Sequence, residues 1–343
     1  MEKINNTPIR TSENYKMNHF EIDVSIFEKV IPLFNNYKCE NVNLKPIKQS
    51  LLLKYGLGLK ALDQVDKYSN FSYEIDVLKD KTGIIEFCLN KENTSLVDSL
   101  YINVKNNLNL IIKYVSDESD NLYHNGVVKV NLEDNAKANI TIINNLNKHA
   151  INMFSIDNNI NENASLNFQI VDFGGNITIS NYYANLAGAC SSNNLNSIYF
   201  GSENQVFDLN YIAECYGMNA TINMDVQGAL KDKSKKSFKG TIDFKKGCKK
   251  SIGDEKEFCT LLSKESRSKS LPILLSSEED VIGSHSSAAG KVDEKVLFYM
   301  TSRGISKEDA EKLIVHANFN KTIDLINDKN VKEYVLNMIN EKI

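Results

Sequence analysis

Ser99-Leu-Tyr-Ile-Asn-Val-Lys105, Val127-Val-Lys-Val-Asn131 and Ala138-Asn-Ile-Thr-Ile-Ile143 alternate apolar and polar side chains, the period of a β-strand whose two faces meet different surroundings. The alternation continues through Ala164-Ser-Leu-Asn-Phe-Gln-Ile170, Asn176-Ile-Thr-Ile-Ser180 and Gln205-Val-Phe-Asp-Leu209 to about Val281. Between the runs stand Asn, Asp, Gly and Ser, not segments long enough for helices. This reads as an all-β region of roughly two hundred residues, within the reach of one β domain. The period alone fits a sandwich, a barrel or a β-solenoid. Abundant asparagine at strand ends suits the stacked corners of a solenoid, although asparagine is also a general turn residue.

Upstream, Phe20 to about Ser69 mixes apolar and charged positions at helical spacing, as at Leu52, Tyr55, Leu59 and Leu62, with Pro32 and Pro46 as breakers. A small, partly helical N-terminal region is expected over residues 1–70, followed by a β core over 71–290. After Gly290 the pattern changes again, to Glu294–Met300, then Ala310, Leu313, Ile314 and Ala317, then Ile323–Ile339. Ser306 followed three residues on by Asp309 forms a capping box. Residues 291–343 are therefore expected to be a small helical domain.

Bulk properties exclude several function classes. The 343 residues are 42% hydrophobic and carry a net charge of -4, enough apolar material for a sizeable core but no cationic field to neutralise nucleic-acid phosphates. The basic runs Lys231-Asp-Lys-Ser-Lys-Lys236 and Lys245-Lys-Gly-Cys-Lys-Lys250 have no interleaved aromatic residues for stacking bases and read as solvated loops. Met1 to Arg10 lacks the apolar core of a secretory signal, and no run reaches the length of a membrane span. A cytoplasmic protein without membrane or nucleic-acid contact is expected.

Cys39, Cys88, Cys190, Cys215, Cys248 and Cys259 form no Cys-x-x-Cys pair and default to small buried hydrophobes. His19, His124, His149, His285 and His316 show no metal-binding spacing. Gly56-Leu-Gly58 and Gly174-Gly175 lack what a phosphate loop needs and read as turns, and there is no Gly-x-Ser-x-Gly elbow. No nucleophilic or metallohydrolase reading survives.

The informative stretch runs from Gly228 to Phe319: Gly228-Ala-Leu-Lys-Asp, Ser237-Phe-Lys-Gly-Thr-Ile242, Leu261-Leu-Ser263, Pro272-Ile-Leu-Leu, Glu279-Asp-Val281, Ser284-His285, Gly290-Lys-Val-Asp-Glu294, Leu297-Phe-Tyr299 and Ser302-Arg-Gly-Ile305, then Ala310, Leu313 and Phe319. In order and spacing these pieces resemble the SufB/SufD family over about ninety residues, with a looser match back through Asp208, Gly201, Gly188 and Leu186 to roughly Gly175. The first third of the chain carries no such resemblance. The resemblance implies a right-handed parallel β-helix flanked by helical terminal regions. It also implies a non-catalytic scaffold of iron-sulfur cluster assembly, pairing with a SufB-type paralogue and with a SufC-type ABC ATPase docked on the C-terminal helices. Two alternatives stand beside it: a homodimer serving as the single SufB/SufD-type subunit of a minimal system, and a β-helix carbohydrate-active enzyme. The latter calls for secretion and clustered carboxylates, and the sequence has neither a signal peptide nor a persuasive carboxylate pair.

Residue by residue, the resemblance places His285 where SufD-type members have an interface histidine implicated in cluster assembly. An imidazole there can ligate iron; the bland reading is a histidine that merely ends a rung. SufD-type members often have a cysteine at the position of Gly283, and SufB-type members have glutamates at those of Ser284 and Ser286 and an essential cysteine at that of Ser266. Their absence implies a D-type partner holding no cluster by itself, with iron or a nascent cluster only transiently at the interface. Cys215 stands near a family interior histidine and reads as a buried structural thiol. Asp293, Glu294, Leu297, Phe298, Tyr299, Arg303 and Gly304 match the junction that positions the ATPase-docking helices. Leu297 and Phe298 can alternatively be core, Arg303 and Glu294 an ion pair, and Gly304 a left-handed helix end.

Overall fold

The computed structural model describes residues 1–47 and 51–343. Successive strands alternate between two nine-stranded sheets, giving a parallel β-solenoid of about eight turns. From one end, the first sheet runs Val281–Lys291, Ser251–Leu261, Thr221–Leu230, Ser192–Gly201, Ser165–Asp172, Lys137–Asn145, Asn107–Ser116 and Lys81–Leu89; Tyr37–Glu40 is added antiparallel at the far edge. The second runs Arg267–Ser276, Lys235–Phe244, Val206–Cys215, Ile177–Leu186, Ile151–Ile160, Tyr123–Leu132, Ser95–Val104 and Phe71–Val77, ending on the antiparallel Lys45–Pro46. The far end of the solenoid is thus closed by reversed strands, whereas Val281–Lys291 and Arg267–Ser276 each leave an edge unpaired.

Strand alternation becomes packing because every turn stacks in register on the last. Leu110, Ile140, Phe168, Leu195 and Met224 form one inward column, and Leu100, Val128, Ile156, Tyr182 and Tyr211 face it from the second sheet. All ten are buried in one continuous core. Outside, Asn131 donates to Asn103 at 2.9 Å, Asn159 to Asn131 at 3.0 Å and Asn185 to Asn159 at 2.9 Å. This side-chain ladder satisfies amide groups turn by turn.

The corners explain the abundance of asparagine. Asn135, Asn163 and Asn219 adopt left-handed backbones, with φ of 64°, 55° and 55°, as do Cys190 and Lys250 at equivalent corners. Each of the first four of these in chain order sends its N–H to a carbonyl of the next turn, as Asn135 to Glu162 at 2.8 Å and Cys190 to Met218 at 2.8 Å. Asn tolerates this conformation better than other residues with a Cβ.

Terminal segments cover the outer faces. The α-helices among the described residues are α1 (Leu59–Tyr68), α2 (Glu294–Thr301), α3 (Lys307–Asp324) and α4 (Lys329–Lys342). Val315, Phe319, Val335 and Ile339 of α3 and α4 pack on Ile143 and Phe200 of the first sheet and on Phe173, just beyond the strand Ser165–Asp172. Ile4, Ile22, Phe27 and α1 residues Ala61 and Val65 cover Val97, Tyr123, Val127 and Met153 of the second. Ser306 caps α3 as its spacing predicts, its Oγ accepting from the Asp309 N–H at 3.0 Å. The helical spacing read through Leu52 and Tyr55 does not hold. Gly56 and Gly58 take φ of 153° and 122°, so the helix begins only at Leu59, which is itself exposed.

Candidate functional site at the open end

His285 lies midway along Val281–Lys291, the last strand of the first sheet. Ser287 on the same strand turns inward, its Oγ donating to Glu257 at 2.8 Å, while Ser284 turns outward to Asp254 at 2.6 Å. Side chains alternate along a strand, so His285 shares the inward phase of Ser287. Its backbone pairs with Glu255 on the strand below. No further turn covers it: the imidazole is exposed and hydrogen-bonds to none of the described residues.

Beneath the last strand the apolar interior gives way to charge. Glu257 is buried and accepts from Lys236 at 2.7 Å, Tyr199 OH at 3.2 Å and Ser270 Oγ at 2.8 Å, besides Ser287. Lys236 also donates to Ser270 at 3.0 Å and lies over the Phe238 ring at 5.6 Å. Burial holds the Tyr199 hydroxyl well above its ordinary range, so it acts as a donor. Cys259, on the same inward phase, is pushed up by burial and stays a thiol.

Glu255 differs from its neighbour. It is fully buried, and neither carboxyl oxygen has a hydrogen-bond partner among the described residues. Burial first, then the charges of Glu257 and Asp254, push its carboxyl up to about 8. Its carboxyl lies against Gly240 of the second sheet, where a Cβ would fall 2.3 Å from Oε1. In the sequence both acids are inconspicuous, because a run such as Asp254-Glu-Lys-Glu257 does not show which of its members face a core. The signal was the phase: Gly253 and Cys259, both buried, have the same parity as Glu255 and Glu257.

The residues of the expected docking segment follow directly, on or beside α2. Asp293 caps α2, Oδ1 accepting from the Lys295 N–H at 2.8 Å. Phe298 is 74% and Tyr299 57% exposed and Leu297 is half-buried, so the core reading of Leu297 and Phe298 fails. Arg303 makes no ion pair with Glu294 among the described residues. Its guanidinium instead stacks 4.6 Å from the Tyr299 ring centroid. Gly304 takes φ of 90° at the end of this turn, as anticipated. Ser266 is buried and spends its hydroxyl on the Ser263 carbonyl at 2.8 Å. Cys215 is buried in the core.

Among the described residues, no group of three or more His, Cys, Asp and Glu could hold a metal ion. Nor is any helix among them long and apolar enough to cross a membrane. The end of the solenoid therefore offers an incomplete donor set beside two unpaired strand edges.

Comparison with known proteins agrees with this geometry. The family model described as "SUF system FeS cluster assembly, SufBD core domain" matches residues 87–318. The chain is 27% identical over 166 residues to the iron-sulfur cluster assembly protein SufD of Bacillus subtilis, covering 48% of this chain and 38% of that protein. It is 26% identical over 170 residues to SufD of Escherichia coli, covering 50% and 40%, and 27% identical over 195 residues to a SufBD family protein of Pyrococcus horikoshii, covering 56% and 43%. The chain spans about two-fifths of the length of these relatives.

Proposed function

The chain belongs to the SufB/SufD family as a SufD-like member, and from that premise we propose that it is a scaffold subunit of an iron-sulfur cluster assembly complex, without turnover of its own. The observation that carries this reading is the uncovered last strand, Val281–Lys291, with His285 unpartnered at its centre. A solenoid end with free strand edges needs a cap or a partner, and a SufB-type subunit laid on it supplies one. Iron or a nascent cluster is cargo at that joint, with the imidazole of His285 as a borderline donor. Gly283, Ser284 and Ser286 add no thiolate or carboxylate beside it, in keeping with a D-type role.

The C-terminal domain over residues 291–343 carries the SufC-type ATPase. Support comes from α2, which buries none of its residues and presents Val296, Phe298 and Tyr299 to solvent. Asp293, Glu294, Leu297, Arg303 and Gly304 set its start and its exit turn. The β core over 71–290 meets the paralogue, while the N-terminal residues Ile4, Ile22 and Phe27 and helix α1 clothe the second sheet.

Co-purification with a SufB-type protein and a SufC-type ATPase, with and without residues 291–343, tests this reading. The full chain is expected to hold both partners, and the truncated chain to keep the paralogue and lose the ATPase. Failure to associate with either overturns it, and a chain that only self-associates favours the homodimer of a minimal system.

A further inference from the structure

We propose that Glu255 is a second ligand for the metal cargo: its carboxylate, one turn below His285, binds a divalent first-row cation such as Fe2+ or Co2+ once a partner strand covers the last turn. The proposal rests on the cargo-binding reading of His285 and names a residue and a donor type that reading lacks. Its starting point is an orphaned buried carboxyl. Five turns in succession place an apolar residue in this inward column, Leu110, Ile140, Phe168, Leu195 and Met224, and the sixth places Glu255. Among the described residues it alone has both carboxyl oxygens buried and unpartnered. A buried polar group left without hydrogen bonds is destabilising.

The surroundings show that this is not a lapse of local packing. Lys236, the cation at hand, is committed to Glu257, which is further held by Tyr199, Ser270 and Ser287. Two residues away, Glu255 accepts no hydrogen bond from any of the described residues. Gly240 opposite keeps space for its carboxyl, since any Cβ there would collide with it. One turn on, at the paired backbone position and on the same face, stands the free imidazole of His285.

A carboxylate oxygen and an imidazole nitrogen suit a first-row divalent cation, the one hard and the other borderline. Two donors leave the coordination shell incomplete, and no third His, Cys, Asp or Glu joins them within the described residues. The site is therefore open on the side where the strand edge is open, and it is completed by the subunit that pairs there.

Titration of Co2+ into the complex of the full chain with a SufB-type subunit, followed by the visible ligand-field bands, tests this without relying on cluster activity. Glu255→Gln and His285→Ala are each expected to weaken Co2+ binding at least tenfold while the complex keeps its size by chromatography. Glu255→Asp, which keeps the carboxylate on a shorter stem, should fall between. If Glu255→Gln binds as tightly as the unmodified complex while His285→Ala does not, Glu255 is not a ligand and the reading of His285 stands. If the unmodified complex binds no Co2+, or if His285→Ala leaves binding intact, the reading of His285 falls and this proposal with it.

Discussion

His124 and His285 both point into the solenoid, and they meet opposite fates. His124 is fully buried: Nε2 faces Asp98 Oδ1 at 2.7 Å, Nδ1 faces Asn152 Oδ1 at 2.5 Å, and Tyr114, 4.2 Å from the imidazole centroid to centroid, donates to Asp98 Oδ2 at 3.2 Å. A turn lies on either side of it, Ser95–Val104 and Ile151–Ile160. His285 has a turn on one side only, and no hydrogen-bond partner among the described residues. What separates a structural histidine from an available one here is whether the next turn exists.

The largest effects are expected where that closure is complete. Asp98→Ala leaves His124 and the Tyr114 hydroxyl buried without their acceptor, and breaking a buried pair this way costs about 3–5 kcal/mol. Denaturant unfolding should register the loss as a large drop in midpoint. A value under about 1 kcal/mol would mean that the cluster is solvated and that coverage is not what distinguishes the two histidines.

Next comes a covered group that lacks a partner. Asp172 is fully buried, accepts from Asn144 at 3.2 Å through Oδ1 and leaves Oδ2 unpaired; burial pushes its carboxyl up to about 7. Its folded value lies above its unfolded one. Its stabilisation is therefore complete below about pH 4 and is lost as pH rises through 7. Asp172→Asn should be increasingly favourable over the original chain between pH 4 and 8, by on the order of a few kcal/mol at the upper end. Unfolding midpoints across that range check the sign, and a difference that does not change with pH contradicts it.

A smaller effect is expected on the outer ladder. Asn131 both donates to Asn103 and accepts from Asn159, yet it is only half-buried, so water replaces much of what is lost. Asn131→Ala should cost about 1 kcal/mol, the net worth of an ordinary hydrogen bond. Thermal unfolding would resolve a shift of that size.

The same contrast between closed and open explains what the sequence disclosed. Alternation in Ser99–Lys105 or Ala138–Ile143 marks strands because each has an interior and an exterior. It could not select the solenoid, since the spacing between stacked residues drifts from 26 for Asn159 to Asn185 up to 32 for Lys235 to Arg267. Corner asparagines were a true signal diluted by Cys190 and Lys250 in the same left-handed role. The choice came from resemblance over Gly228–Phe319, and so did the interest in His285. Glu255 was hidden for a physical reason: a charge run looks the same whether its alternate members face water or a core. The helix expected from Leu52 failed because two positive-φ glycines outweigh apolar spacing.

The smallest effect on stability is expected at His285 itself. Its ring has no hydrogen-bond partner among the described residues and is exposed on a single uncovered face, so His285→Ala removes little packing and leaves no polar group stranded. Exposed substitutions of this kind fall within about 0.5 kcal/mol. Denaturant unfolding of the isolated chain should show no resolvable change, while iron-sulfur maturation in cells declines. That pairing is the mirror image of Asp98, whose loss is felt by the fold first. A loss of 2 kcal/mol or more on His285→Ala would place it with His124 as a structural residue. Unchanged maturation would argue against the proposed cargo-binding role, leaving a histidine that only ends the last turn.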